Sequence, residues 1–185
     1  PSVYIKTYGC QMNERDSEQV AQMFVERGYA ITGQSEDADV VLINTCSVRD
    51  QAEQKAIGNM TRLGKLRQKK QHIVYGFMGC MAQSRGSELI DQIPHVDLVA
   101  GTQKYHKVVE HVENLLRPRM EQRMDDLRAP IVDTDEEVSS QNTIRDHVLK
   151  PHGVSEFVSI MQGCNMKCTF CIVPYTRGKE RARPI

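Results

Sequence analysis

Short apolar runs alternate with stretches of helical periodicity through the first 117 residues of this chain. Val3-Tyr4-Ile5, Val40-Val41-Leu42-Ile43 and Ile73-Val74-Tyr75-Gly76-Phe77 read as strands over 2–8, 40–45 and 72–78. Tyr29-Ala30-Ile31 is a shorter strand and Val96-Asp97-Leu98-Val99-Ala100 a last one. Helical patterns lie between them: near 14–27, ended by Gly28, and near 48–70, rich in Ala, Glu, Lys and Arg. Two more lie near 83–92, interrupted before Pro94, and over 104–117. Strands alternating with helices argue for βα units and a parallel sheet, so residues 1–117 are expected to form a doubly wound, flavodoxin-like α/β domain. The stretch holds neither a GxGxxG loop nor a P-loop, so no nucleotide site is indicated in it.

Residues 118–150 change character. Asp125, Asp126, Asp133, Asp135, Glu136 and Glu137 fall in a polar segment without sustained periodicity, which reads as a partly flexible connector. Residues 154–161 alternate well enough to be the first strand of a (β/α) barrel, with residues 151–185 as the start of a second domain. A cysteine-rich loop follows that strand, where barrel enzymes carry their chemistry.

That loop is Cys164-Asn-Met-Lys-Cys168-Thr-Phe-Cys171, a C-x3-C-x2-C spacing. A complete iron–sulfur cage uses four thiolates, so three ligands on a four-iron cluster leave one iron open to a small molecule. Other readings of the loop fit it less well. Zinc wants four N/S donors, and the nearest candidates outside the loop, His147 and His152, lie upstream across a Gly. A disulfide would pair two cysteines and strand the third, in a chain without secretory character. Inert buried cysteines are common singly, whereas this loop has three in eight residues.

The remaining three of the six cysteines are Cys10, Cys46 and Cys80. Each follows a strand-like run and precedes a helical stretch. In parallel α/β sheets ligands bind outside the carboxyl ends of the strands, so these thiols are expected to converge on one sheet edge. That would make a second three-thiolate site with an open position. Taken one at a time, each of the three would read as a small buried hydrophobe.

The cysteine loop, with Phe170 just before its last thiol, resembles the cluster loop of radical S-adenosylmethionine (SAM) enzymes. YGCQMNERDSE (8–18), INTCSVRDQAEQK (43–55), GCMAQ (79–83) and MQGCNMKCTFCIVPYTRGKERAR (161–183) together resemble the methylthiotransferases of that class, more narrowly their tRNA-modifying branch (MiaB type). Ribosomal-protein methylthiotransferases usually carry Pro-Lys-Asn after the first cysteine; here Gln11-Met12-Asn13 stands there, and Tyr175-Thr176-Arg177-Gly178 also fits the tRNA branch better. The resemblance implies two 4Fe-4S clusters, one on Cys164, Cys168 and Cys171 that binds and reductively cleaves SAM, the other an auxiliary one on Cys10, Cys46 and Cys80 that holds sulfur. It implies methylthiolation of carbon 2 of N6-dimethylallyladenosine at position 37 of tRNA, with Phe170 lining the SAM adenine pocket. It further implies the anticodon stem-loop of tRNA as partner, an electron donor such as flavodoxin or ferredoxin, a monomer, and a cytoplasmic location. A substrate on a ribosomal protein or on threonylcarbamoyladenosine is the alternative within the class. From other classes, a two-cluster electron carrier would keep four cysteines per cluster, and a zinc-stabilised RNA-binding module would show zinc.

Charge and length add bounds. Lys plus Arg and Asp plus Glu balance at 24 each, so no global field attracts nucleic acid. No apolar run reaches transmembrane length and no signal sequence is seen, which predicts a soluble, cytosolic protein. Pro1 is not an initiator and Ile185 closely follows the cysteine loop, so a longer protein is expected, with the rest of the barrel and a C-terminal RNA-binding barrel outside this chain. Lys65, Arg67, Lys69 and Lys70 read as a solvated helix end, whereas Arg177, Lys179, Arg181 and Arg183 are denser and suit RNA or SAM contact. Asn13 and Asn44 flank cluster cysteines and could tune a cluster or cap a helix. No residue identifies itself as an essential acid or base, and no His is assigned a ligand role.

Overall fold

The computed structural model of the chain describes residues 1–121, 129–136 and 159–182. A six-stranded sheet is built from β1 (Ser2–Tyr8), β2 (Ala30–Ile31), β3 (Val40–Thr45), β4 (Val74–Met78), β5 (Leu98–Ala100) and β6 (Ile131–Asp133). Their order is β2-β1-β3-β4-β5-β6, and every neighbouring pair is parallel. This is the flavodoxin-like arrangement, extended by β6. Within the stretch read as a connector, Ile131–Asp133 thus pairs with β5 at the sheet edge. Three residues carry too little periodicity to announce a strand; Ile131 packs on the core and Asp133 is held by Lys104 (3.3 Å) and His111 (2.9 Å).

Two apolar layers sandwich the sheet, as a doubly wound fold requires. Strand residues alternate in the side they face: Val40 and Leu42 pack with Val20 and Phe24 of α1 (Gln11–Glu26) and Val112 and Leu116 of α5 (Val108–Met120). Val41 and Ile43 face the other way, onto Ala56 and Met60 of α2 (Asp50–Leu63), Met81 of α3 (Cys80–Arg85) and Leu89 of α4 (Glu88–Gln92). β3 is buried along its whole length, which is why Val40 to Ile43 form a continuous apolar run.

Helix ends differ from expectation for local reasons. α1 starts at Gln11 rather than near 14, because Cys10 is its N-cap and the Asn13 Oδ1 accepts the Cys10 backbone N–H (3.3 Å). The expected 48–70 helix ends at Leu63 and tightens into a 3-10 turn over Gly64–Gln68. There the His95 ring lies against Gly64 in space a side chain would need, and its Nε2 meets the Met60 carbonyl (2.9 Å). The basic stretch after it is only partly solvated. Arg67 stacks over Tyr75 and pairs with the buried Asp97, which also takes Arg119 (2.7 Å) and the Tyr75 N–H (2.9 Å).

At the other end, β7 (Met161–Gln162) pairs antiparallel with β8 (Arg181–Ala182), and α6 (Val173–Arg177) lies between them. Most of the expected barrel strand, 154–158, falls outside the described residues, as do His147, His152 and Arg183. Among the described residues no helix is long and apolar enough to cross a membrane.

Candidate metal centre

The sheet places three cysteines at the carboxyl ends of three adjacent strands. Cys10 follows β1, Cys46 follows β3 and Cys80 follows β4. Strand register keeps them nearly level: Tyr8 stands beside Thr45, and Asn44 beside Met78. β1 and β3 flank the point where strand order reverses, the usual ligand crevice of an open α/β sheet.

A pair of buried asparagines ties these strand ends together. Asn13 Nδ2 donates to Asn44 Oδ1 (2.9 Å), and Asn44 Nδ2 donates to the Asn13 carbonyl (2.8 Å) and Ser17 Oγ (3.0 Å). Asn13 Oδ1 also accepts from the Cys10 thiol (3.4 Å). Asn13 is therefore both a capping residue and a thiol partner. Gly79 sits between Asn44 and Cys80 at φ +97, in the left-handed region that glycine favours. A Cβ there would run into Asn44 Oδ1. The Val48 backbone N–H points at Cys46 Sγ (3.3 Å), as Met166 N–H does at Cys164 Sγ (3.4 Å).

All six cysteines are free thiols, so the donor set for clusters is intact. Cys46 and Cys80 are 6% and 7% exposed, whereas Cys10 is exposed. Burial pushes the Cys80 thiol pKa up, opposed by Arg177 alongside. Among the described residues no three His, Cys, Asp or Glu side chains stand close enough to enclose a single ion. Cysteine thiolates are the donor type that iron–sulfur clusters take. Cys164, Cys168 and Cys171 share one loop, braced by Cys164 N–H to the Gly178 carbonyl (3.1 Å) and Cys171 N–H to the Cys168 carbonyl (3.1 Å). Phe170 in that loop is 91% exposed, so it packs in no core here.

The structure gives Arg177 a buried partner and adds Asp16 and Tyr105, which the sequence did not single out. Arg177, grouped above with RNA- or SAM-contacting cations, is buried and pairs with Asp16 of α1 (2.6 Å). Tyr105 O–H donates to the same Asp16 oxygen (3.0 Å). Burial pushes the Asp16 carboxyl up against the pull of Arg177, and burial with Asp16 drives Tyr105 well above its ordinary value. For Arg177, burial alone would lower the pKa; Asp16 outweighs it and the guanidinium stays charged. Thr102 Oγ1 donates to the Thr176 carbonyl, and Gln103 packs on Gly178. α6 thereby rests on α3, whose first residue is Cys80.

The fold and the cysteine placement define a parallel α/β domain with thiols at three adjacent strand ends, followed by a second cysteine loop. Residues 2–101 match the family described as Uncharacterized protein family UPF0004, and the chain belongs to this family. Relatives are each named tRNA-2-methylthio-N(6)-dimethylallyladenosine synthase. That of Akkermansia muciniphila is 58% identical over all of this chain and 42% of its own length. Those of Opitutus terrae and Methylacidiphilum infernorum are 50% and 51% identical, over 99% and 100% of the chain and 42% and 38% of their own lengths. The chain thus spans about two fifths of the length of the curated relatives it matches.

Proposed function

We propose that this chain is the cluster-bearing part of a radical SAM methylthiotransferase that adds a methylthio group to carbon 2 of N6-dimethylallyladenosine at position 37 of tRNA. The single observation that carries the reading is the placement of Cys10, Cys46 and Cys80 at three adjacent strand ends, with a separate C-x3-C-x2-C loop folded nearby. The names borne by relatives at 50% identity and above support the substrate. Cys10, Cys46 and Cys80 would hold one 4Fe-4S cluster and Cys164, Cys168 and Cys171 another. Bound there, the two clusters supply one-electron reduction of SAM and an open iron for sulfur, chemistry that an unreactive C–H bond requires and side chains lack.

The chain's own residues position and shield. The Asn13–Asn44 pair fixes the strand ends from which Cys10 and Cys46 project. Burial of Cys46 and Cys80 keeps water from two of the three thiols. Phe170, exposed beside Cys171, offers a ring face on which the SAM adenine stacks. tRNA through its anticodon stem-loop, a flavodoxin- or ferredoxin-type donor, a monomeric state and a cytoplasmic location complete the proposal.

Iron and sulfide analysis after anaerobic reconstitution tests it. The full-length protein should bind two 4Fe-4S clusters, and Cys164→Ala, Cys168→Ala or Cys171→Ala should each remove one. Zinc as the sole bound metal would end this reading.

A further inference from the structure

Arg177 is out of place for a residue in a cation-rich tail. It lies in the segment that follows the C-x3-C-x2-C loop, yet its side chain is buried at the far site, against α1 and α3. Three observations fix where it points. Its Nη1 is taken by Asp16 at 2.6 Å. Its Nη2 is buried and carries no hydrogen bond to oxygen or nitrogen. The guanidinium stands beside the Cys80 thiol, where α6 packs on α3. A buried N–H of a charged group left without a partner costs free energy that a bound ligand can recover.

The surroundings also hold the guanidinium still. Asp16 is itself seated by Tyr105, and α6 is anchored by the Thr102 bond to the Thr176 carbonyl. Arg181 Nη2 donates to the Arg177 carbonyl (3.3 Å) and fixes the backbone behind it. A rigid planar donor suits a soft, diffuse anion better than a mobile ammonium does. An iron–sulfur core held by three thiolates carries net negative charge, and hydrogen bonds to its sulfurs and nearby charge set its potential.

We propose that Arg177 is the charge-compensating and positioning residue of the auxiliary site, its free Nη2 donating to sulfur of the group held by Cys10, Cys46 and Cys80. The inference rests on the reading of those cysteines as a cluster site. Arg177 comes from the segment that carries the other three cysteines, so the same side chain docks that loop onto the auxiliary site. Its contact with Asp16 orients it.

The test uses full-length protein carrying Cys164→Ala, Cys168→Ala and Cys171→Ala, so that the auxiliary cluster alone is present. Its potential is read by spectroelectrochemical titration. Arg177→Met should lower the reduced-to-oxidised ratio at the parent midpoint by about tenfold, about 59 mV for a one-electron couple. Arg177→Lys, which keeps the charge, should restore most of that shift. An unchanged potential in an Arg177→Met protein with full iron content overturns the proposal. Should Arg177→Met fail to fold, the parent protein labelled with 15N in its arginine guanidinium groups decides the matter. The reduced cluster should then show a 15N hyperfine coupling that Arg177→Lys lacks, and its absence in the parent overturns the proposal. If the parent holds no iron at all, the cluster reading falls and this inference with it.

Discussion

Asp16 and Arg177 form a buried ion pair at 2.6 Å that joins the first helix of the sheet domain to the segment after the C-x3-C-x2-C loop. Both residues are almost fully shielded from solvent, Asp16 at 1% and Arg177 at 6% exposure. Removing one member of such a pair strands the other charge, a loss of about 3–5 kcal/mol. Asp16→Ala should therefore lower the urea midpoint of the protein far more than Tyr105→Phe, which forfeits one hydrogen bond worth about 1 kcal/mol. Equal losses would mean that the pair does not anchor the segment.

The two triads of cysteines should separate in function. Replacing Cys10, Cys46 and Cys80 with Ala in the full-length protein should preserve formation of 5′-deoxyadenosine and abolish transfer of the thiomethyl group. Replacing Cys164, Cys168 and Cys171 should abolish both. The assay needs tRNA bearing the prenylated adenosine, a reductant and SAM, with both products measured by mass spectrometry. Methylthiolated tRNA made by the first variant would show that its sulfur comes from elsewhere.

Gly79→Ala should damage the auxiliary site selectively. At φ +97 a side chain is strained by about 1–3 kcal/mol, and its Cβ would displace the Asn44 amide. Cys80 and the Asn13–Asn44 pair would shift together. Iron content should fall towards that of a one-cluster protein, while the C-x3-C-x2-C loop keeps its share. Full iron loading of this variant would contradict the tight packing seen here.

Stability should fall in acid through two half-buried carboxylates. At Asp39, burial acts upward, but the His72 bond (2.8 Å) and the Ser2 N–H hold the carboxyl below its ordinary value. At Asp133, burial is likewise outweighed by His111 and Lys104. A depressed folded pKa gives stability that is present above the unfolded value of about 3.9 and is lost as pH falls through the folded one. The melting temperature should therefore drop below about pH 4, and Asp39→Asn with Asp133→Asn should flatten that drop. An unaltered acid limb in the double variant would exclude both residues.

The regular parts of the fold were legible in the sequence. β3 matches its expected span of 40–45, because a strand buried on both faces runs apolar from Val40 to Ile43 and ends on Asn44, whose amide is hydrogen-bonded, and Thr45. β1 also matches its expected span of 2–8, and the cysteines were placed at strand ends because a βα unit turns there. β6 was not legible: three residues become a strand only when β5 offers its open edge and Lys104 and His111 take Asp133. The start of α1 was missed because cysteine is an unusual N-cap, and Asn13 must reach back to complete it.

The sequence by itself determined the parallel α/β class, the donor chemistry of six thiols and their division into two sets, since period and residue type are local properties. Only the tertiary structure decided what the polar residues between them do. Arg177 looks like a surface cation until the sheet brings Asp16, Tyr105 and Cys80 around it. Arg67 looks like part of a solvated helix end until Asp97 and Tyr75 meet it. Whether a charge faces water or a buried partner depends on contacts between distant segments, and hydropathy along the chain carries no record of those contacts.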